Sequence, residues 1–191
     1  GSMDMLYDNE LMELMVKSGC LGLVIGFESI NEENLKNMNK SSNRQKKFDK
    51  YKKEIEILRN WGLQTWAAFT VGHDGDTIES IQETCNFAIE NKFCFAAYNI
   101  LMPYPGTPLY EKLKEEGRLL YDGKWWLHDE YKFNYSAILP KNMTPDELTE
   151  ISFWCRKKFN SPFSIFRRAF DFKTNMRTPY RFFTYLIYNP L

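Results

Sequence analysis

Leu21-Gly22-Leu23-Val24-Ile25-Gly26, running on into Phe27-Glu28-Ser29, is the stretch that decides the fold. It is apolar with no polar alternation. A strand with one face in water alternates, whereas a strand buried on both faces, as in a parallel sheet, reads as a continuous apolar run. Upstream, Asp8 can cap a helix over Asn9–Lys17, with Leu11, Leu14 and Met15 as its apolar stripe and Gly19 as its stop. Downstream, Asn31 can cap a short helix with Glu32 and Glu33 in its first turn. A long helix follows over about 44–61, with Phe48, Tyr51, Ile55 and Leu58 on one face and Gly62 at its end.

The same alternation of helix and strand repeats twice more. Residues 63–71 read as a second strand and 93–102 as a third. Between them, Asp76 and Glu79 have the spacing of a capping box for a helix over about 77–91, with Ile78, Ile81, Cys85 and Ala88 inward. After the third strand, Thr107 caps a helix that has Pro108 at its first position and Gly117 beyond its end. Strands joined by helices are parallel with right-handed crossovers. The fold class expected is α/β, part of a (β/α) TIM-type barrel or a doubly wound sheet.

Beyond residue 120 the regularity stops. Residues 118–140 are polar and aromatic without period. Thr144-Pro145-Asp146-Glu147 is a capping box, and Ser161-Pro162 and Thr178-Pro179 open further helices. The organisation expected is a leading remnant of expression-vector type at 1–3, a (β/α) unit over 4–120 and a helical, basic and aromatic region over 121–191.

Composition narrows the function classes. The chain has 191 residues, 43% of them hydrophobic and 16% aromatic, which excludes a disordered segment. No apolar run reaches membrane-spanning length, and no secretory leader pattern opens the chain. The four cysteines, Cys20, Cys85, Cys94 and Cys155, are scattered, which argues for reduced thiols in a cytoplasmic setting and against a self-contained zinc or iron–sulfur site. Lys+Arg and Asp+Glu balance at 25 each, but residues 156–191 carry eight cations against Asp171 alone, so that tail is about +7 and the remainder about −7. Phosphate-loop glycine motifs, H-E-x-x-H and G-x-S-x-G are all absent from the sequence.

Ligands of parallel α/β folds meet the carboxyl ends of the strands, which singles out three places. Gly26-Phe27-Glu28-Ser29 holds a carboxylate at the rim of a buried strand, where Glu28 and Ser29 either bind a ligand's hydroxyl or ammonium groups or cap the next helix. Gly72-His73-Asp74-Gly75-Asp76 allows close backbone approach at Gly72 and offers His73 as an acid–base or contact group, or is turn chemistry. Pro103-Tyr104-Pro105-Gly106-Thr107-Pro108 is a rigid loop, preorganised for a ligand or a plain elbow.

These three strand ends, in this order, resemble the later half of a radical S-adenosylmethionine (radical SAM) enzyme, most closely of the cobalamin-binding type. The resemblance rests on Gly26-Phe27-Glu28-Ser29 with Leu35, Met38, Asn39 and Lys40; on Phe69-Thr70-Val71-Gly72 with Asp76, Thr77, Glu79 and Ser80; and on Pro103–Tyr110 with Glu116-Gly117-Arg118-Leu119 and Trp125. It spans about 4–150. It implies a partial barrel, three parallel strands of the later half, that binds S-adenosylmethionine beside a [4Fe-4S] cluster. Reductive cleavage then gives a 5′-deoxyadenosyl radical that abstracts hydrogen from a small-molecule or lipid-like substrate, with methyl transfer or rearrangement where cobalamin takes part.

By the same resemblance Gly26, Glu28 and Ser29 contact S-adenosylmethionine. Gly72 and His73 line its adenine side, and Pro103, Tyr104, Gly106 and Thr107 edge the cofactor or substrate pocket. The family's C-x-x-x-C-x-x-C cluster loop, its second-strand glycine motif and a cobalamin domain are missing from these residues. The chain is therefore expected to be a carboxyl-terminal piece, inactive alone, whose partner is the other barrel half. An open half barrel leaves sheet edges bare, so self-association is expected in isolation. The basic aromatic tail, with Phe159, Phe163, Phe166 and Phe170 at helical spacing, either packs on the missing parts or meets a membrane surface. Nucleic acid is not expected, given the acidic remainder. The competing class is a non-catalytic binding or scaffold module.

Overall fold

The computed structural model describes residues 3–30 and 46–189. Three strands form one parallel sheet in the order β1 (Gly22–Glu28), β2 (Gln64–Val71), β3 (Phe95–Ile100). Helix α1 (Asn9–Lys17) leads into β1. Helices α2 (Lys46–Trp61) and α3 (Ile78–Glu90) lie in the crossovers, and α4 (Pro108–Glu115) follows β3. This is the partial TIM-type α/β arrangement read from the sequence. After it come two short 3-10 turns and helices α5 (Pro145–Phe159), α6 (Pro162–Ala169) and α7 (Pro179–Tyr188). The short helix expected from Asn31, and the Phe48 side chain, lie outside the described residues.

The caps follow local chemistry. Asp8 accepts from the Leu11 N–H at 3.0 Å, and Thr144 with Glu147 forms the expected capping box. At α3 the box is one residue later than the sequence reading. Thr77 and Ser80 form it, because Asp76 is committed elsewhere: its carboxylate accepts from the backbone N–H groups of Gly72 and His73 at 2.8 and 3.0 Å. Helix α1 also turns differently, burying Met12 while Leu11 and Leu14 stay exposed. The inward face is that of Met12, Met15 and Val16, which pack against the main core.

Alternation along the strands separates two faces. One carries a row of stacked rings, one from each strand, with Phe27–Phe69 centroids 5.5 Å apart and Phe69–Tyr98 5.6 Å apart. Tyr51, Ile55 and Leu58 of α2, and Ile81, Cys85 and Ala88 of α3, close over it. Leu148, Ile151, Cys155 and Phe159 of α5 belong to the same core, so the change of architecture near residue 120 does not separate two cores. The Ser152 hydroxyl and the Arg156 guanidinium both donate to the Tyr98 carbonyl, covering the outer edge of β3.

The other face is open, with three layers along the strands. Val24, Trp66 and Phe95 lie at the amino end, and Gly26, Ala68 and Ala97 across the middle. Glu28, Thr70 and Asn99 lie at the carboxyl end. Helix α7 closes the amino end, where Tyr188 meets Trp66 with ring centroids 4.5 Å apart. The basic tail supplies the fastenings. Arg181 donates to the carbonyls of Leu21 and Cys20, Arg177 to that of Trp61, and Arg59 is bidentate on Asp171 at 2.8 and 3.0 Å.

Arg168 is fully buried beneath this layer. Helix α6 points Ser164 and Arg168 inward and Phe163 and Phe166 outward, and Phe159 is buried as the last residue of α5. The phenylalanine spacing read as one stripe is therefore split by the Ser161-Pro162 break. Among the described residues no helix is long and apolar enough to cross a membrane.

Candidate functional site at the carboxyl ends of the strands

Glu28 ends β1 at a register irregularity and takes a left-handed φ of +61°, which non-glycine residues seldom adopt without outside constraint. Its carboxylate folds back over the strand. A Cβ at Gly26 would stand 2.8 Å from Glu28 Oε1, so glycine is what leaves room for the carboxylate on the open face. Thr70 Oγ1 donates to Glu28 Oε2 at 3.1 Å and fixes it from the neighbouring strand. Ser29, 4% exposed, follows with its N–H donating to the Phe27 carbonyl at 2.8 Å.

The β2 end is built around Gly72, whose φ is +101°. Asp76 gathers the Gly72 and His73 amides and shapes the turn. Among the described residues, His73 Nε2 is buried and without a hydrogen-bond partner. Burial pushes the His73 pKa down, against the opposing pull of the Asp76, Glu28 and Asp74 carboxylates, so a neutral ring is favoured near the Glu28 carboxylate. Asp74 turns away into an ion cluster, 2.8 Å from Arg118, 3.0 Å from Lys141 and 3.2 Å from Lys112. Burial raises its pKa, but hydrogen bonds from Lys141, Arg118 and Lys112 outweigh that and hold it at about 2.

The loop after β3 is an elbow with an exposed ring. Thr107 Oγ1 donates to the Tyr104 carbonyl at 2.7 Å and accepts from the Tyr110 N–H at 3.3 Å. Gly106 has φ +79° and open space around it. Tyr104 is 59% exposed, and the Trp125 indole donates to the Pro103 carbonyl at 3.2 Å.

The structure thus sets Gly26 one layer behind Glu28 on the open face, leaving room for its carboxylate, with His73 within electrostatic reach. It sets Pro103–Thr107 at the same end of the sheet, beyond β3. Thr70 and Asn99 complete the Glu28 row and were not singled out from sequence. Their signal was the even-numbered positions of β2 and the odd-numbered positions of β3, which face the same way as Gly26 once the register is known.

The donor set fits an organic ligand rich in hydroxyl, amino and ammonium groups: one carboxylate, two hydroxyls, an amide side chain and an imidazole. It does not fit an iron–sulfur cluster. Cys85, Cys94 and Cys155 are buried, Cys20 is half-buried, and no group of three metal-ligating side chains occurs among the described residues.

Comparison with known proteins finds a family and several relatives. The family model described as "Radical SAM superfamily" matches residues 2–88. The bacteriochlorophyllide d C-12(1)-methyltransferase of Chlorobaculum tepidum is 34% identical over 149 residues, covering 78% of this chain and 31% of that protein. The anaerobic magnesium-protoporphyrin IX monomethyl ester cyclase of Cereibacter sphaeroides is 28% identical over 147 residues, 77% of this chain and 22% of its own. The hopanoid C-2 methylase of Rhodopseudomonas palustris is 24% identical over 161 residues, 83% and 28% respectively. The chain spans less than a third of the length of each of these relatives.

Proposed function

The chain belongs to the radical SAM superfamily, and from that premise we propose that it is the cofactor- and substrate-side part of a radical SAM methyltransferase or related enzyme. The observation that carries the reading is the row of Glu28, Thr70 and Asn99 at the carboxyl end of the open face, on a chain whose relatives are methyltransferases and cyclases. Reductive cleavage of S-adenosylmethionine supplies the radical in this family. This chain's share is binding and orientation. Glu28, held by Thr70, accepts hydrogen bonds from hydroxyl or ammonium groups of the bound cofactor. Ser29 and the Gly72–His73 backbone line its neighbourhood, and the small residues Gly26, Ala68 and Ala97 leave the floor open. The cluster ligands belong to a segment outside these residues, and the chain alone is expected to be inactive.

The relatives' names point to large ring systems as substrates: bacteriochlorophyllide, a protoporphyrin ester and a hopanoid. Methyl transfer with cobalamin is the finer form of the proposal, supported by the motif order Gly26–Ser29, Phe69–Gly72, Pro103–Pro108.

The test is to complete the barrel. Residues 4–191 are grafted in place of the matching part of the Chlorobaculum tepidum methyltransferase, the cluster is reconstituted anaerobically, and 5′-deoxyadenosine and S-adenosylhomocysteine are quantified with and without added cobalamin. Reductant-dependent cleavage supports the reading. A folded, cluster-loaded chimera that leaves S-adenosylmethionine intact contradicts it. Product formation indifferent to cobalamin removes the finer form.

A further inference from the structure

Six aromatic rings stand together beside the loop that follows β3, and neither buried core includes any of them. Tyr104 meets Trp125 edge to face at 6.0 Å. Trp125 meets Trp126 at 5.5 Å and 88°, and Tyr131 at 5.0 Å. Tyr121 joins through Tyr131 at 5.8 Å and His128 at 4.8 Å. The core of the fold closes without this assembly, so it needs another explanation.

The cluster is also held rigid. The Trp125 indole is tied to the Pro103 carbonyl at 3.2 Å, and the Tyr110 hydroxyl to the Gly123 carbonyl at 3.0 Å. Tyr121, Asp122 and Asn134 all take left-handed φ angles, +57°, +51° and +68°, although none is glycine. Such conformations persist only where surroundings enforce them, and they gather at ligand clamps and active sites. Yet the assembly keeps two of its rings open, Tyr104 at 59% and Trp126 at 44% exposure. Rigid aromatic surface left in water at the carboxyl end of a parallel sheet is the character of a recognition wall.

We propose that this wall, with Tyr104 and Trp126 as its contact rings, binds the flat face of the substrate and selects planar conjugated ring systems over saturated polycyclic ones. The inference deepens the enzyme reading above, since it assigns the substrate class of the same mouth. Aromatic faces gain from offset stacking or edge-to-face contact with another π-system beyond the area they bury, and a saturated ring offers only the area. That surplus of about 0.5–1.5 kcal/mol per ring corresponds to roughly 2- to 10-fold in affinity for each contact.

The test uses the 191-residue chain and two carboxylate-bearing probes. Protoporphyrin IX is planar and conjugated. Cholate, kept below its micellar concentration, is rigid and saturated. Binding is followed by equilibrium dialysis and porphyrin anisotropy. With two contact rings, the wall predicts saturable protoporphyrin binding about 4- to 100-fold tighter than cholate. Trp126→Ala and Tyr104→Ala should each weaken it several-fold. Phe163→Ala, at a ring on α6 that is 76% exposed, should leave it unchanged and so controls for unspecific adsorption to aromatic surface.

Cholate binding as tight as protoporphyrin, equal losses in Phe163→Ala and Trp126→Ala, or binding that never saturates would each overturn the proposal. Both wall variants are at exposed side chains, and circular dichroism checks that they fold. No cofactor enters this assay, so its failure leaves the S-adenosylmethionine reading to stand or fall on the chimera.

Discussion

Replacing Arg168 should loosen the whole amino end of the sheet. Its side chain is fully buried and has no carboxylate partner among the described residues, yet every part of its fork is used. Nη1 donates to the carbonyls of Phe93 at 2.8 Å and Cys94 at 3.2 Å. Nη2 donates to the Phe159 carbonyl at 2.8 Å and to Asn189 Oδ1 at 2.9 Å, and Nε to the Ser164 hydroxyl at 3.2 Å. The guanidinium also lies over the Phe159 ring, 3.6 Å from its centroid. One side chain therefore ties the entry to β3, the end of α5, α6 and the end of α7.

Charge-assisted hydrogen bonds are worth about 1.5–3 kcal/mol each, but the buried cation's own desolvation offsets much of the sum. The asymmetry decides the outcome. Arg168→Met fills part of the space and strips five buried acceptors of the guanidinium's N–H groups. The expected loss is about 3–5 kcal/mol, a large share of the 5–15 kcal/mol typical of a domain. Arg168→Lys keeps the charge and loses the fork, and should fall between.

Urea denaturation followed by tryptophan fluorescence is the assay, because Trp66 lies against Tyr188 of α7 and reports on that docking. Hydrogen exchange at Phe93–Phe95 should rise in parallel. A loss below about 1 kcal/mol for Arg168→Met, with unchanged exchange, would refute the claim that this side chain fastens the tail.

Other perturbations test the site's scaffold. Gly72→Ala would force a left-handed φ of +101° on a residue with a Cβ, 2.7 Å from Leu148 Cδ2. It should cost about 1–3 kcal/mol in denaturation, and an unchanged midpoint would contradict the geometry. Asp74 is held at about 2 in the fold, below its ordinary value of 3.8, so its cluster stabilises above pH 3.8 and that contribution is lost as pH falls through about 2. After solvent screening the effect is about 1 kcal/mol, and Asp74→Asn should flatten the stability profile in that window.

His73 has its pKa depressed from 6.5 by burial, so the unfolded chain takes up the proton first and stability declines as pH drops below 6.5. Imidazole NMR should show the ring neutral through that decline. Titration of His73 at or above 6.5 would contradict it.

Much of the fold was legible because periodicity and caps are local. The apolar run before Glu28, the Thr107-Pro108 start of α4 and the Thr144–Glu147 box need nothing beyond their own neighbours. Asp76 misled because two caps fit the pattern Asp76-Thr77-x-Glu79-Ser80 equally well. The choice was made by the Gly72 and His73 amides, which come within reach only when the strand ends. Thr70 and Asn99 became site residues through register across β1, β2 and β3, which no single strand carries. Arg168 read as one cation in a basic run, whose usual place is a solvated face. Its burial follows from the carbonyls of Phe93, Cys94 and Phe159, scattered over the chain, which all accept from its guanidinium. Residues 118–140 had no period because their order comes from ring contacts and left-handed turns rather than from a helix or a strand.

The central claim is that the Glu28 row at the carboxyl end of the open face binds S-adenosylmethionine. Equilibrium dialysis of labelled S-adenosylmethionine against the completed, cluster-loaded chimera tests it most directly, with Glu28→Gln compared with the unaltered graft. Loss of a charge-assisted contact of about 1.5–3 kcal/mol predicts an affinity at least about tenfold weaker for Glu28→Gln, with the fold and cluster content retained. Equal affinity in the two proteins would contradict the account.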